Sequence, residues 1–250
     1  MSDFNRDYAR TAAVSAADMA VDTGLRAFML GVYNKVALGL LLSAAMAYLT
    51  GAYPPVRDLM FQTRPSGAIG LSGLGTLIAF APLAILLFSS FLMKSITPRT
   101  SGVIYWSIVT LIGASLGTVV LLYSGVSIAT TFAVTATAFG ALSLVGYTTK
   151  RNLTGMGSFL IMGLIGLIVA MVVNMFLASS AMAFAINCIG VLIFAGLIAY
   201  DTQRLKSTYY QLGGNSQALG VATNYGALNL YLDFINLFRF LLFFMGGARR

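Results

Sequence analysis

Histidine and glutamate are both absent from the 250 residues, and cysteine occurs once, at Cys188. Without histidine the chain lacks the commonest metal ligand and the side chain that ordinarily changes charge near neutral pH. One cysteine excludes an internal disulfide and any cysteine cluster for zinc or an iron–sulfur centre; lying in an apolar run, Cys188 reads as a small core residue. Charge is scarce as well. Only 9% of the residues are charged and 58% are hydrophobic, against about 25% charged in a soluble domain. The chain therefore reads as a polytopic membrane protein. Its net charge of +8 would suggest nucleic acid if it sat on a soluble face. Here the basic residues stand between apolar runs, where the excess of Lys and Arg on cytoplasmic loops accounts for them.

Residues 1–26 mix Arg6, Arg10 and Arg26 with Asp3, Asp7, Asp18 and Asp22 and contain no apolar signal-peptide core. They read as a polar cytoplasmic tail ahead of a transmembrane domain at 27–250. A span needs about 20 mostly apolar residues, and seven segments qualify: 28–51, 68–93, 102–123, 128–147, 156–177, 182–201 and 218–245. Their patterns are helical or wholly apolar, without the sustained alternation of a barrel, so the expected fold is an all-α membrane protein of seven transmembrane helices. With the N-terminus inside, that side receives ten basic residues, among them Lys150, Arg151, Arg204 and Lys206, against Arg57, Arg64, Arg249 and Arg250 on the other. The asymmetry predicts a cytoplasmic N-terminus. Pro82 should kink the second span. "GASLG" (Gly113, Gly117) has the spacing that lets helix backbones approach closely. Trp106 and tyrosines 53, 105, 123 and 147 suit the interfacial aromatic belt.

The chemistry concentrates in two aspartates. Asp201 stands in "LIAYDTQRLK", where the sixth apolar run turns polar, and Asp233 stands in "LYLDFINLF", inside the seventh. An ionised Asp at the centre of a bilayer helix costs about 2.5–3.5 kcal/mol on insertion scales, so Asp233 needs a partner or water. Asn229, Asp233 and Asn236 follow i, i+4, i+7 on one helical face, and Asn187 precedes Asp201 by nearly four whole turns. The two helices are consecutive and antiparallel. An offset of about seven residues, roughly 10 Å, separates the aspartates from register, which permits a contact without requiring one. Two adjacent carboxylates in a low dielectric cannot both ionise cheaply, so such a pair would share a proton. The plainer alternative pairs Asp201 with Arg204 and sets Asp233 beside an Arg or Lys of another helix.

"YDTQRLK" followed by "ALNLYLDFINLFRFLL" closely resembles the C-terminal signature of the Bax inhibitor-1 (transmembrane Bax inhibitor motif) family. "ATAFGALSLVGYTTKRNLTGMGSFLIMGLIG" resembles its bacterial branch. The resemblance covers all seven spans. It implies two layers of three helices around a central seventh helix, in a bacterial inner membrane. It further implies that Asp201 and Asp233 form a hydrogen-bonded, pH-sensing pair that gates a calcium leak, with Ca²⁺ only transiently on the two carboxylates and no resident cofactor. Some members latch the closed pair with a basic residue at the inner end of the second helix; Lys94, with Arg99 behind it, is the candidate here. Some carry an acidic residue in the second span, and "IAFAPLAILL" has none.

Three functions follow as expectations. The first is a pH-sensitive cation leak, not an enzyme, in which ionising both carboxylates drives them apart and frees hard oxygen ligands for Ca²⁺. The second is a membrane regulator that binds a membrane protease or a larger membrane complex, as bacterial relatives are associated with doing, with Met1–Arg26 as its docking element. The third, an intramembrane aspartyl protease, is disfavoured: its second aspartate needs flanking glycine, and Asp233 sits among bulky residues.

Overall fold

The computed structural model describes the backbone of residues 2–63, 69–91 and 96–246, and the side chains of 23–63, 69–89 and 96–246. It is helical throughout except for one hairpin. The elements are α1 (Ser2–Ala52), α2 (Pro54–Met60), β1 (Phe61–Thr63), β2 (Ile69–Leu71), α3 (Gly73–Phe91), α4 (Pro98–Ser115), α5 (Gly117–Leu122), α6 (Gly125–Thr148), α7 (Thr154–Leu177), α8 (Ser180–Gln211) and α9 (Ser216–Met245). Among the described residues, six helices are long and apolar enough to cross a membrane, α4 and α5 counting as one.

Boundaries follow local chemistry. Thr97 caps α4 by accepting from the backbone N–H of Thr100 at 3.2 Å, with Pro98 at the first helical position. Ser124, Ser179 and Asn215 cap α6, α8 and α9 in the same way. The turn from α8 to α9 uses Gly213 and Gly214 at φ +55° and +83°, a left-handed region open to glycine without steric cost.

Two expectations change. The segment at 68–93 does not begin as a helix: residues 69–71 pair antiparallel with 61–63, Phe61 opposite Leu71, so α3 starts only at Gly73 and is shorter than the six long helices. The third apolar run stands as one candidate span, Pro98–Leu122, with a single turn at Leu116 between α4 and α5. Tyr105 is no belt residue; it is wholly buried and its hydroxyl donates to the Lys35 carbonyl at 2.6 Å.

α9 is the centre of the packing, touching α1, α4, α6 and α8. Its Tyr231 hydroxyl bonds Ser43 of α1 at 2.6 Å, and Ser43 in turn donates to the Val109 carbonyl of α4 at 3.1 Å. The "GASLG" glycines serve intramolecular packing. A Cβ on Gly113 would lie 2.6 Å from the Ser43 Cα, and one on Gly117 would strike Thr50. α1 runs unbroken from Ser2, and burial begins by Leu25. Contacts of Gly24 with Tyr209 and Gly220 with Pro98 define one end of the bundle, rich in Lys and Arg; contacts of Gly246 with Tyr123 and Gly117 with Thr50 define the other.

Candidate functional site

α8 continues ten residues past Asp201, so this aspartate lies within the helix rather than at its end. α9 holds Asp233 near its midpoint. The register between the two helices sets Leu205 against Gly226 and Phe194 against Phe240, ring centroids 5.7 Å apart. This pairing carries α9 several residues further than α8 toward their shared turn and absorbs the offset expected from counting. The Asp201 and Asp233 carboxyl groups consequently meet within hydrogen-bonding reach. Two ionised carboxylates have no proton to donate, so that contact is a bond only when one of them is protonated. Both aspartates are buried, and Asp233 Oδ2 has no partner among the described residues. An acceptor left alone in a protein interior is costly and calls for an explanation.

The plainer alternative is present too. Arg204 Nη2 lies 3.2 Å from Asp201 Oδ1, one turn along α8, while its guanidinium rests 5.6 Å from the Tyr200 ring. The two readings therefore coexist: an arginine on the outer flank of a carboxyl pair. Arg99 stands exposed on the first turn of α4 without an ion pair to either aspartate, and Lys94 lies outside the described residues.

Asp201, Asp233, Asn229, Asn236 and Asn187 all line one cleft of about 850 Å³ between α3, α5, α7, α8 and α9. Asn187 and Asn236 donate to carbonyls of their own helices, Ala183 at 2.6 Å and Leu232 at 2.9 Å. Their amide oxygens make no bond among the described residues. Leu83, Leu86, Ile161, Leu164 and Ile168 form the apolar walls. α3 and α7 flank the cleft without substantial packing on each other.

Two residues in or beside the site escape sequence reasoning. Arg239, a basic residue inside an apolar run, reaches the same cleft as Asp233; its spacing of three from Asn236 puts it on the polar face. Gln203, beside the aspartate motif, clamps the α6–α7 loop: its Oε1 accepts from the Leu153 N–H and its Nε2 donates to the Arg151 carbonyl, both at 2.8 Å. No local signal marks partners fifty residues away.

Residues 25–250 match the family described as inhibitor of apoptosis-promoting Bax1. A protein of Caulobacter vibrioides is 61% identical over 249 residues, covering 100% of both chains. RP147 of Rickettsia prowazekii is 45% identical over 243 residues, 97% of this chain and 99% of its own. Inner membrane protein YbhL of Escherichia coli K12 is 40% identical over 227 residues, 90% of this chain and 94% of its own.

Proposed function

The chain belongs to the Bax inhibitor-1 (transmembrane Bax inhibitor motif) family, and from that premise we propose that it is a pH-sensitive calcium leak of the bacterial inner membrane. The observation that carries the reading is the meeting of Asp201 and Asp233 at a cleft lined by three asparagines. Protonated once, the pair bonds to itself; ionised twice, it repels and presents hard oxygens. Ca²⁺ takes six to eight oxygen ligands. The two carboxylates alone supply fewer, so water completes the shell and the ion passes rather than stays. The orphaned Asp233 Oδ2 is the acceptor such an ion would use. In this reading α3 is a seventh span. Its 19 residues reach about 28 Å, close to the thickness of the hydrocarbon core, and α3 with the five crossing helices other than α9 forms two layers of three around α9. Inner-membrane placement follows YbhL, and the N-terminus is cytoplasmic by the Lys and Arg asymmetry.

Reconstitution into liposomes loaded with a calcium dye tests the proposal between pH 6 and 8. Flux should rise with pH in the wild type. Asp201→Asn or Asp233→Asn should remove the dependence, and the double variant should add little, because the pair titrates as a unit. Wild-type flux indifferent to pH, or variants that respond like wild type, would return Asp233 to a structural role and favour a regulator without transport.

A further inference from the structure

A second cavity, of about 480 Å³, lies between α1 and α6 toward the basic end of the bundle, and its Phe139 packs on Phe234, the neighbour of Asp233. Arg26, Met29, Leu30 and Tyr33 line it from α1, at spacings that put all four on one face. Phe139, Gly140, Ser143, Leu144 and Tyr147 line it from α6. α1 and α6 each pack on α8 and α9 but not substantially on each other, so the cavity is a slot between them. Tyr33 and Phe139 meet edge to face at 6.3 Å and close its inner end. The slot is about 10 Å long by helix rise, and Gly140 widens it, since a Cβ there would touch nothing within 4 Å.

The chemistry of this slot is graded. Its interior is apolar. Arg26 stands exposed at its mouth and forms no ion pair among the described residues. Lys206 reaches the same rim, donating to the Tyr147 carbonyl at 3.3 Å with its ammonium 5.2 Å from the Tyr147 ring. Between rim and floor, about 6 Å below Tyr147 by helix rise, Ser143 is 5% exposed and its hydroxyl has no partner among the described residues. A buried hydroxyl left unsatisfied is destabilising, so Ser143 calls for an acceptor or donor.

We propose that this slot is a binding site for one anionic phospholipid of the leaflet that meets the basic end. One acyl chain fills the apolar floor, a glycerol ester carbonyl accepts from Ser143 Oγ, and the phosphate sits on Arg26 and Lys206. The vertical order of cation, hydroxyl and apolar floor is that of phosphate, ester and chain in a lipid. Basic pockets between transmembrane helices are established places for anionic head groups. A soluble phosphate would satisfy Arg26 and leave both Ser143 and the slot empty.

Native mass spectrometry of the full chain released from nanodiscs holding equal phosphatidylglycerol and phosphatidylcholine tests this. The wild type should retain one phosphatidylglycerol with a preference of about tenfold, the effect of one hydrogen bond to a charged group. Arg26→Gln, a surface change that leaves the fold alone, should remove the preference while keeping retention. Gly140→Leu should fill the slot and lose both lipids, and Ser143→Ala should weaken both alike. A phosphatidylglycerol with a photoreactive acyl chain should label residues 26–33 and 139–147 in the wild type. Equal retention of the two lipids by the wild type, undiminished preference in Arg26→Gln, or labelling confined to other helices would each overturn the proposal.

Discussion

α7 and α9 are both long apolar helices, and they meet opposite fates. In its most apolar stretch α7 is 11% buried and α9 is 56% buried. α7 is the most apolar of the six long helices and packs substantially on α8 alone, while α9 carries three polar residues on one face and touches four neighbours. In water the more apolar helix would be the one inside. In a bilayer lipid satisfies Met162, Ile165 and Phe176 as well as protein would, and protein burial goes to the helix whose polar groups lipid cannot satisfy. Interior position here follows from polarity.

Four changes probe the contrast, taken from the largest effect down. Phe234→Ala on α9 removes a ring 2% exposed that packs against Phe132 and Phe139. It should cost about 3–5 kcal/mol, measured by denaturant unfolding in bicelles. Ile165→Asp on α7, 59% exposed, places in lipid the residue type that α9 accommodates. Membrane insertion of that helix should weaken by about 2.5–3.5 kcal/mol, read from a glycosylation-based insertion assay; unchanged insertion would mean α7 is not lipid-facing. Gln203→Ala releases two hydrogen bonds to the α6–α7 loop. The loss should be about 1–3 kcal/mol, accompanied by faster tryptic cleavage at Lys150 and Arg151. Phe159→Ala on α7, 69% exposed, should stay within about 0.5 kcal/mol. A loss like that of Phe234→Ala would show a covered face.

What could be read beforehand was what is periodic or near in sequence. The polar stripe 229, 233, 236 announced a helix that needs protein or water beside it, and the pairing of Asp201 with Arg204 is a one-turn relation visible in the string. What could not be read depends on partners brought together late. The start of α3 is displaced because residues 61–63 find 69–71, a choice made by pairing and not by hydropathy. Tyr105 looks like a belt residue until the Lys35 carbonyl arrives 70 positions away. The meeting of the two aspartates rests on a helix–helix register that residue counting places several positions off. Arg239 lies on the polar face by spacing, but its place in the same cleft as the carboxylates becomes informative only once the cleft is seen.

The bond from Tyr231 through Ser43 to the Val109 carbonyl joins α1, α4 and α9, three helices far apart in the order of synthesis. Ribosomal order therefore matters to this fold. While α1 and α4 lie together in the bilayer, Ser43 can already donate to Val109, but its own acceptor site stays open until translation has passed residue 231. The neighbours of α9 must likewise keep a vacancy for a helix that has not yet left the ribosome. The bond chain of this bundle closes only once α9 has docked, and quality control in the membrane has a natural checkpoint in that step.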